Sequence, residues 1–193
     1  MAYCDVGEMR LYLGVSETND DSLLDSLISA SQKMIDNYAG RTFEASEDSI
    51  RYFDAGLDVD GALLWLDHDL CAITTITNGD GTDIELTDYI TEPRNSLPYY
   101  AIRLKRTSGK IWTHASSGDS ENVIAVEGRW AYGTTVPDDV KHACVRLAAY
   151  LYRQKDNAGD LDRAVIAGNS TILPAQIPSD IKAILEPYRR LVR

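Results

Sequence analysis

The chain has 193 residues, of which 44% are hydrophobic and 25% are charged. This composition is typical of a globular protein with one sizeable core, and it excludes a disordered or fibrous chain. The formal net charge of -11 repels phosphate backbones and so excludes general nucleic-acid binding. Apolar runs such as residues 62–66 are too short to cross a membrane.

Two helices are predicted at the start of the chain. Asp5, followed three residues later by Glu8, forms a capping pair for a short helix that Gly14 ends. Apolar residues then recur at the helical period up to Tyr38, which predicts a helix over residues 19–39 with Gly40 as its stop.

Residues 49–133 follow a different pattern, in which short β-branched or alternating runs are separated by turn residues. The sequence Asn-Gly-Asp-Gly at residues 78–81 predicts a hairpin turn between two candidate strands, and Gly128 predicts a bulge or a close approach of neighbouring backbone. The candidate strands are Ile50–Phe53, Ala62–Leu66, Ile73–Thr77, Ile84–Tyr89, Tyr99–Lys105 and Val123–Tyr132.

Helical patterning returns at Pro137, which suits a first helical turn. Residues 156–177 are polar and rich in Gly and Asn, which predicts an extended arm or loop with a short helical turn around residues 161–167. A final helix is expected to begin at Ser179, to face inward with Ile181, Ile184 and Leu185, and to end at Pro187.

These elements predict an α+β fold. A small helical bundle of three to four helices carries a β-rich insertion of about six strands, folded as a sandwich or partial barrel, between its second and third helices. The predicted boundaries are 1–48 for the N-terminal helices, 49–135 for the insertion, and 136–193 for the third helix, the arm and the C-terminal helix.

Sequence motifs of catalysis are lacking, and we predict no enzymatic activity, no catalytic residues, no cofactor and no metal. The N-terminus lacks the features of a secretory signal, so we expect Cys4, Cys71 and Cys144 to stay reduced in the cytoplasm. One alternative is open: a calcium-binding or hydrolytic module could use the acidic segment Asp54–Asp69.

That acidic segment matches an EF-hand loop only in part. Asp58, Asp60, Gly61 and Asp67 fit loop positions 3, 5, 6 and 12, but the flanking residues are predicted strands where an EF-hand needs helices. The run Asp67-His68-Asp69 suggests an acid/base cluster, yet adjacent residues of a strand point to opposite faces and do not converge. A solvated turn is the simpler interpretation.

The helical segments at both ends of the chain share a family pattern. The opening, Glu8-Met9-Arg10-Leu11-Tyr12-Leu13-Gly14, leads through the second helix to Tyr38-Ala39-Gly40-Arg41-Thr42-Phe43. The third helix begins Val136-Pro137-Asp138-Asp139, and the last segment runs from Ile177-Pro178 to Pro187-Tyr188-Arg189. In this order the segments resemble the head–tail connector (neck adaptor) proteins of long-tailed bacteriophages.

The resemblance implies a structural virion protein that forms a ring, usually twelvefold, under the portal and extends the DNA channel to the tail. Its implied partners are the portal protein, a downstream neck or tail protein and further copies of itself. DNA would pass without specific binding, and no membrane is involved. The implied location is the neck of the virion, after assembly in the host cytoplasm. Another neck or tail part, a stopper or tail terminator, is the alternative, but such proteins are mainly β.

Two features of the sequence agree with a connector. Residues 1–70 hold 15 acidic and four basic residues, which suits a channel wall that must not retain DNA. The C-terminal segment of the family contacts the portal, so we expect the partner contact, with the portal or a neighbouring subunit, at Ile181, Leu185, Tyr188, Arg189, Arg190 and Arg193.

Overall fold

The structure is a computed structural model that describes residues 2–154, 165–167, 170–172 and 177–190. The chain divides into two compact units. The β unit is residues 41–135, and the helical unit is residues 2–40 together with 136–193. The domain boundaries predicted from the sequence, 1–48, 49–135 and 136–193, stay a prediction.

Four α-helices lie in the described residues of the helical unit, and they confirm the helices predicted from periodicity. They are α1 (Val6–Leu13), α2 (Asp21–Ala39), α3 (Asp138–Gln154) and α4 (Ser179–Leu185). The Asp5 carboxylate accepts a hydrogen bond from the Glu8 backbone N–H at 2.7 Å, and Glu8 accepts one from the Asp5 N–H at 3.0 Å, which completes the capping box. No helix in the described residues is long and apolar enough to cross a membrane.

The core of the helical unit is formed by one apolar stripe from each helix. Side chains spaced three, four or seven residues apart face inward, because 3.6 residues make one helical turn. Full burial of one such aliphatic side chain stabilises the fold by about 1.5–3 kcal/mol. The buried set includes Met9, Leu24, Ile28, Ile35, Val140, Cys144, Leu147, Ile181 and Leu185.

Seven strands form the β unit, and a further pair lies in the C-terminal part of the chain. The nine strands are β1 (Ser49–Phe53), β2 (Val59–Asp60), β3 (Leu63–Leu70), β4 (Ala72–Thr77), β5 (Tyr89–Glu92), β6 (Tyr99–Leu104), β7 (Ile124–Arg129), β8 (Val165–Ala167) and β9 (Ser170–Ile172).

The β unit contains two antiparallel sheets that share one core. The first has the order β1-β7-β4 and the second has the order β2-β3-β6-β5. One hydrophobic cluster contains side chains of both sheets, among them Phe53, Leu64, Ile102, Ile124 and Val126, which is the arrangement of a sandwich. The predicted α+β class, with a β-rich insertion between the second and third helices, is confirmed.

The turn predicted at residues 78–81 and the close approach predicted at Gly128 are also confirmed. The turn at residues 78–81 closes with a hydrogen bond from the Gly81 N–H to the Asn78 carbonyl at 2.9 Å. A Cβ on Gly128 would lie 2.1 Å from the carbonyl oxygen of Ala72, so β7 and β4 approach at this point more closely than a side chain allows. The register of β4 against β7 shifts at the same place, between Ile73 and Thr75.

Two local predictions are wrong. Residues 84–88 were predicted as strand but form a turn, because the Asp88 carboxylate accepts a hydrogen bond from the Glu85 N–H at 3.0 Å and the strand β5 begins only at Tyr89. The helical turn predicted around residues 161–167 is wrong at 165–167, which are strand β8 paired with β9, whereas 161–164 lie outside the described residues. Backbone pairing across a short hairpin decides this segment, and helical periodicity cannot show such pairing.

Candidate functional site

The candidate partner contact lies where the C-terminal segment leaves α4. Ile181 and Leu185 on the inner face of α4 are 1% and 0% exposed, so they hold the helix against the rest of the helical unit. Pro187 then ends the α-helix in a short 3₁₀ turn at residues 186–188, and Arg189 continues in extended conformation. The residues after α4 are therefore presented at the surface by a buried helix.

A three-membered cluster ties this segment to the end of α2. The Tyr38 hydroxyl donates a hydrogen bond to the Glu186 carboxylate at 2.7 Å, and the Arg189 guanidinium lies 3.2 Å from the same carboxylate. The guanidinium also sits over the Tyr38 ring, 5.6 Å from its centroid. One exposed arginine is thus positioned by a carboxylate and an aromatic face.

Two further contacts fix the neighbouring residues. The Tyr188 hydroxyl donates to the Asp139 carboxylate at the start of α3, 2.8 Å from each of its oxygens. The Arg190 N–H donates to the carbonyl of Ala39 at 2.8 Å. We call Tyr188, Arg189 and Arg190 the C-terminal surface.

Ionisation of the cluster is fixed at neutral pH. The hydrogen bond from Tyr38 holds the pKa of Glu186 below its usual range, with a smaller effect of Arg189. The same hydrogen bond raises the pKa of the Tyr38 hydroxyl. Glu186 therefore stays charged and Tyr38 stays protonated around pH 7, so the ion pair with Arg189 and the hydrogen bond from Tyr38 both persist there.

Sequence and structure agree only in part on this surface. Of the predicted contact residues, the structure brings Tyr188, Arg189 and Arg190 together at the surface, places Ile181 and Leu185 in the core, and leaves Arg193 outside the described residues. The contact with a partner stays a prediction. Sequence reasoning missed Tyr38 and Asp139 as supports of the surface, because their partners lie 148 and 49 residues away along the chain.

The acidic segment Asp54–Asp69 does not assemble a site. A bulge in β3 breaks its alternation, so Asp67 and His68 both approach Arg51, at 2.7 and 2.8 Å, contrary to the expectation that neighbours diverge. Asp69 instead is buried beside Arg41 at 3.3 Å. Within the described ranges, no three His, Cys, Asp or Glu side chains are grouped so that they could hold a metal ion.

The negative charge is concentrated in the β unit. Residues 41–135 contain 16 acidic against 8 basic residues, a net charge of -8, whereas the remaining 98 residues contain 14 acidic against 11 basic residues. A surface with such an excess repels polyanions over distances comparable to the Debye length, about 8 Å at physiological ionic strength. The acidic segment of residues 1–70 belongs to both units, because residues 1–40 alone contain seven acidic and two basic residues.

One carboxylate of the β unit stabilises the first sheet in a pH-dependent way. Asp48 accepts hydrogen bonds from the Thr74 hydroxyl and, at 3.1 Å, from the Arg129 guanidinium, and these contacts lower the pKa of Asp48. A carboxyl whose pKa is depressed on folding stabilises the fold above its unfolded pKa, and this contribution is lost as the pH falls through the folded pKa.

We therefore expect Asp48→Asn to lower the urea midpoint of the β unit at pH 7. Between about pH 5 and pH 2, the midpoint of this variant should fall less steeply with decreasing pH than that of the wild type. Tryptophan fluorescence is the measurement, since all three tryptophans lie in the β unit. The exposed Glu121 provides the control Glu121→Gln, which should follow the wild-type curve. Equal pH profiles for Asp48→Asn and the wild type would contradict this assignment.

Comparisons with known proteins give one family and one fold. A family model described as "HCP: Head completion protein" matches residues 3–191. The chain is similar to a chain in the neck of an empty gene transfer agent particle computed with C6 symmetry, with a TM-score of 0.60, 14% identity and coverage of 99% of this chain and 91% of that one. No curated protein matches the sequence.

Two further solved structures show the same likeness. One is the neck of a native gene transfer agent particle computed with C12 symmetry, with a TM-score of 0.58, 15% identity and coverage of 97% and 89%. The other is the virion of a native gene transfer agent particle, with a TM-score of 0.56, 16% identity and coverage of 99% and 91%. At these identities the likeness shows a shared fold.

Proposed function

The chain belongs to the head completion protein family, and from this premise we propose that it is a structural neck component that joins the head of a phage-like particle to its tail. In this proposal it forms a ring, docks under the portal and extends the DNA channel towards the tail. It acts in the virion neck, after assembly in the host cytoplasm, and performs no catalysis. The connector resemblance noted in the sequence is confirmed at the level of the family.

The observation that carries the proposal is the family match over residues 3–191, because it spans both units and both ends of the chain. The fold supports it, since the similar structures are chains of neck assemblies computed with C6 or C12 symmetry. A ring of identical subunits follows naturally from such closed symmetry. A stopper or tail terminator would be mainly β, and the four helices favour a connector.

The charge of the β unit supports a role beside the DNA channel. A wall with a net charge of -8 per subunit repels the phosphate backbone, so DNA passes without being held. We propose that part of the β unit faces the channel and that no base-specific contact occurs there.

The C-terminal surface is the proposed contact with the portal. Arg189 and Arg190 are cationic, Arg189 is exposed, and the cluster with Tyr38 and Glu186 limits the freedom that Arg189 would lose on binding. A preorganised charged group binds with a smaller entropic cost. The opposite rim of the ring is left for the downstream neck or tail protein.

Co-elution with the portal tests the proposal. The purified chain is mixed with portal rings and passed through a size-exclusion column, and we expect it to move from its own elution volume to that of the portal complex. A chain that elutes separately from the portal at concentrations well above micromolar would contradict the proposed docking.

A further inference from the structure

One edge of the β unit contains an apolar cavity. It has a volume of about 330 Å³ and lies between the first residues of β4 and the strand β5. Its apolar lining includes Ile73, Leu86, Tyr89 and Tyr99, and the thiol-bearing Cys71 is also part of the wall. Leu86 is 77% exposed, so the cavity opens to the surface. We call it the edge cavity.

Another edge of the same unit carries an exposed leucine on a well-fixed loop. Leu57 is 84% exposed, and it belongs to the turn of residues 54–58, called here the Leu57 loop. The Asp54 N–H donates to the Asp58 carboxylate at 2.8 Å, and the Asp54 carboxylate accepts from the Asn122 N–H at 2.7 Å. A rigid loop that presents an apolar side chain to water is typical of a binding surface.

The topology puts the two features on opposite sides of the β unit. The Leu57 loop connects β1 with β2, which are edge strands of the first and second sheet, whereas the edge cavity lies between β4 and β5, the other two edge strands. They also lie at opposite ends of the first sheet. Phe53, at the end of β1, pairs with Ile124, but Ala72, beside the cavity, pairs with Arg129.

The two features also differ in charge. Asp54, Asp58 and Asp60 lie within three residues of Leu57 in the chain, and none of these carboxylates takes part in an ion pair among the described residues. Arg94 lines the edge cavity, and its side chain is 64% exposed. Its Nε lies 4.0 Å from the Glu92 carboxylate, which is bound more closely by Arg103 at 3.1 Å, so Arg94 is held only weakly by this ion pair. On one side of the β unit, Leu57 thus has acidic residues next to it in the chain. On the opposite side, the apolar edge cavity has the cation Arg94 in its wall.

We propose that Leu57 of one copy inserts into the edge cavity of the next copy around the ring, with Asp58 and Asp60 beside Arg94. This inference rests on the proposed function for the ring itself, and it names the surfaces that join neighbouring subunits. A contact between two different patches on opposite sides of one unit is heterologous, and such contacts generate closed rings when the rotation closes. Leu57 is then the apolar anchor, and the charges set orientation.

A cysteine pair tests this contact directly, because Cys71 already lines the cavity. The variant Leu57→Cys is assembled on portal rings and treated with diamide, which takes up two electrons and two protons as two thiols form a disulfide. Mildly alkaline pH is used, since burial raises the pKa of the Cys71 thiol. Each copy then carries two reactive sites, so we expect a ladder of dimers, trimers and larger covalent oligomers on a non-reducing denaturing gel.

Two controls define the result. Leu57→Cys with Cys71→Ser keeps the loop thiol but removes its partner, and it should give no species beyond dimers. Ile111→Cys places a thiol on another exposed apolar position, 70% exposed, outside both surfaces, and it should give no ladder. An assembled ring of the Leu57→Cys variant without a ladder would overturn this inference alone. Failure of the wild-type chain to assemble would overturn both the proposed ring and the contact within it.

Discussion

Replacing Gly128 with alanine is expected to unfold the β unit or to destabilise it by at least about 3 kcal/mol, a large effect for one methyl group. The added Cβ would lie 2.1 Å from the carbonyl oxygen of Ala72 and 3.1 Å from a methyl carbon of Leu70. Ala72 belongs to β4, the partner of β7 in the first sheet, and Leu70 belongs to the shared core. The strands β4 and β7 must therefore move apart, and the core must repack, to relieve the two contacts.

Urea unfolding followed by tryptophan fluorescence measures this effect. All three tryptophans, Trp65, Trp112 and Trp130, lie in the β unit, so the signal reports that unit. Gly56→Ala is the matched control, because a Cβ there meets Ser120 at 3.7 Å, an ordinary contact. It should leave the midpoint nearly unchanged. A Gly128→Ala variant as stable as the wild type would show that β4 and β7 are farther apart than described.

Reversing both arginines of the C-terminal surface is expected to weaken portal binding strongly. In Arg189→Glu/Arg190→Glu two cations become anions, and we expect a loss of at least about 2 kcal/mol, roughly thirty-fold in Kd. Ile181 and Leu185 remain in the core of the helical unit, so the fold is left intact. Surface plasmon resonance on immobilised portal rings gives the Kd, and circular dichroism confirms the folded state.

The control for this variant changes the same net charge elsewhere. Lys33→Glu/Arg153→Glu alters two exposed basic residues of α2 and α3, neither of which belongs to the C-terminal surface. It should bind the portal with little change. Equal losses for the two double variants would indicate that only the total charge matters, and unchanged binding of the arginine variant would remove the C-terminal surface from the docking contact.

The elements best predicted from the sequence are those determined by interactions between residues that are close together in the chain. α2 follows from the regular return of apolar residues, and its end follows from Gly40, whose φ of 66° suits glycine. The capping box of α1 needs only Asp5 and Glu8. The strand prediction fails at residues 84–88 because their alternation is real, whereas the hydrogen bond from the Glu85 N–H to the Asp88 carboxylate, which makes a turn, is not visible in a pattern.

The surfaces depend on contacts that span the chain, and the sequence shows little of them. Tyr38 and Asp139 position the C-terminal surface, but both are distant from it in the sequence. In the sequence, Tyr38 belongs to the apolar pattern of α2, and Asp139 is an acidic residue in the first turn of α3. The edge cavity requires the strand order of both sheets, because β4 and β5 become neighbouring edges only after folding. The sequence identifies Leu57 as an apolar residue in an acidic segment. The exposure of its side chain is known only from the folded turn, which a hydrogen bond from the Asn122 N–H to Asp54 holds in place.

Native mass spectrometry of the chain mixed with portal rings counts the subunits of each complex that forms. We predict a complex that contains the portal and a closed ring of this chain, near the twelvefold symmetry computed for one of the similar necks. The mass of 21.4 kDa per added copy makes the count unambiguous. A spectrum with only free portal and monomeric chain, at concentrations well above micromolar, would contradict the proposed function.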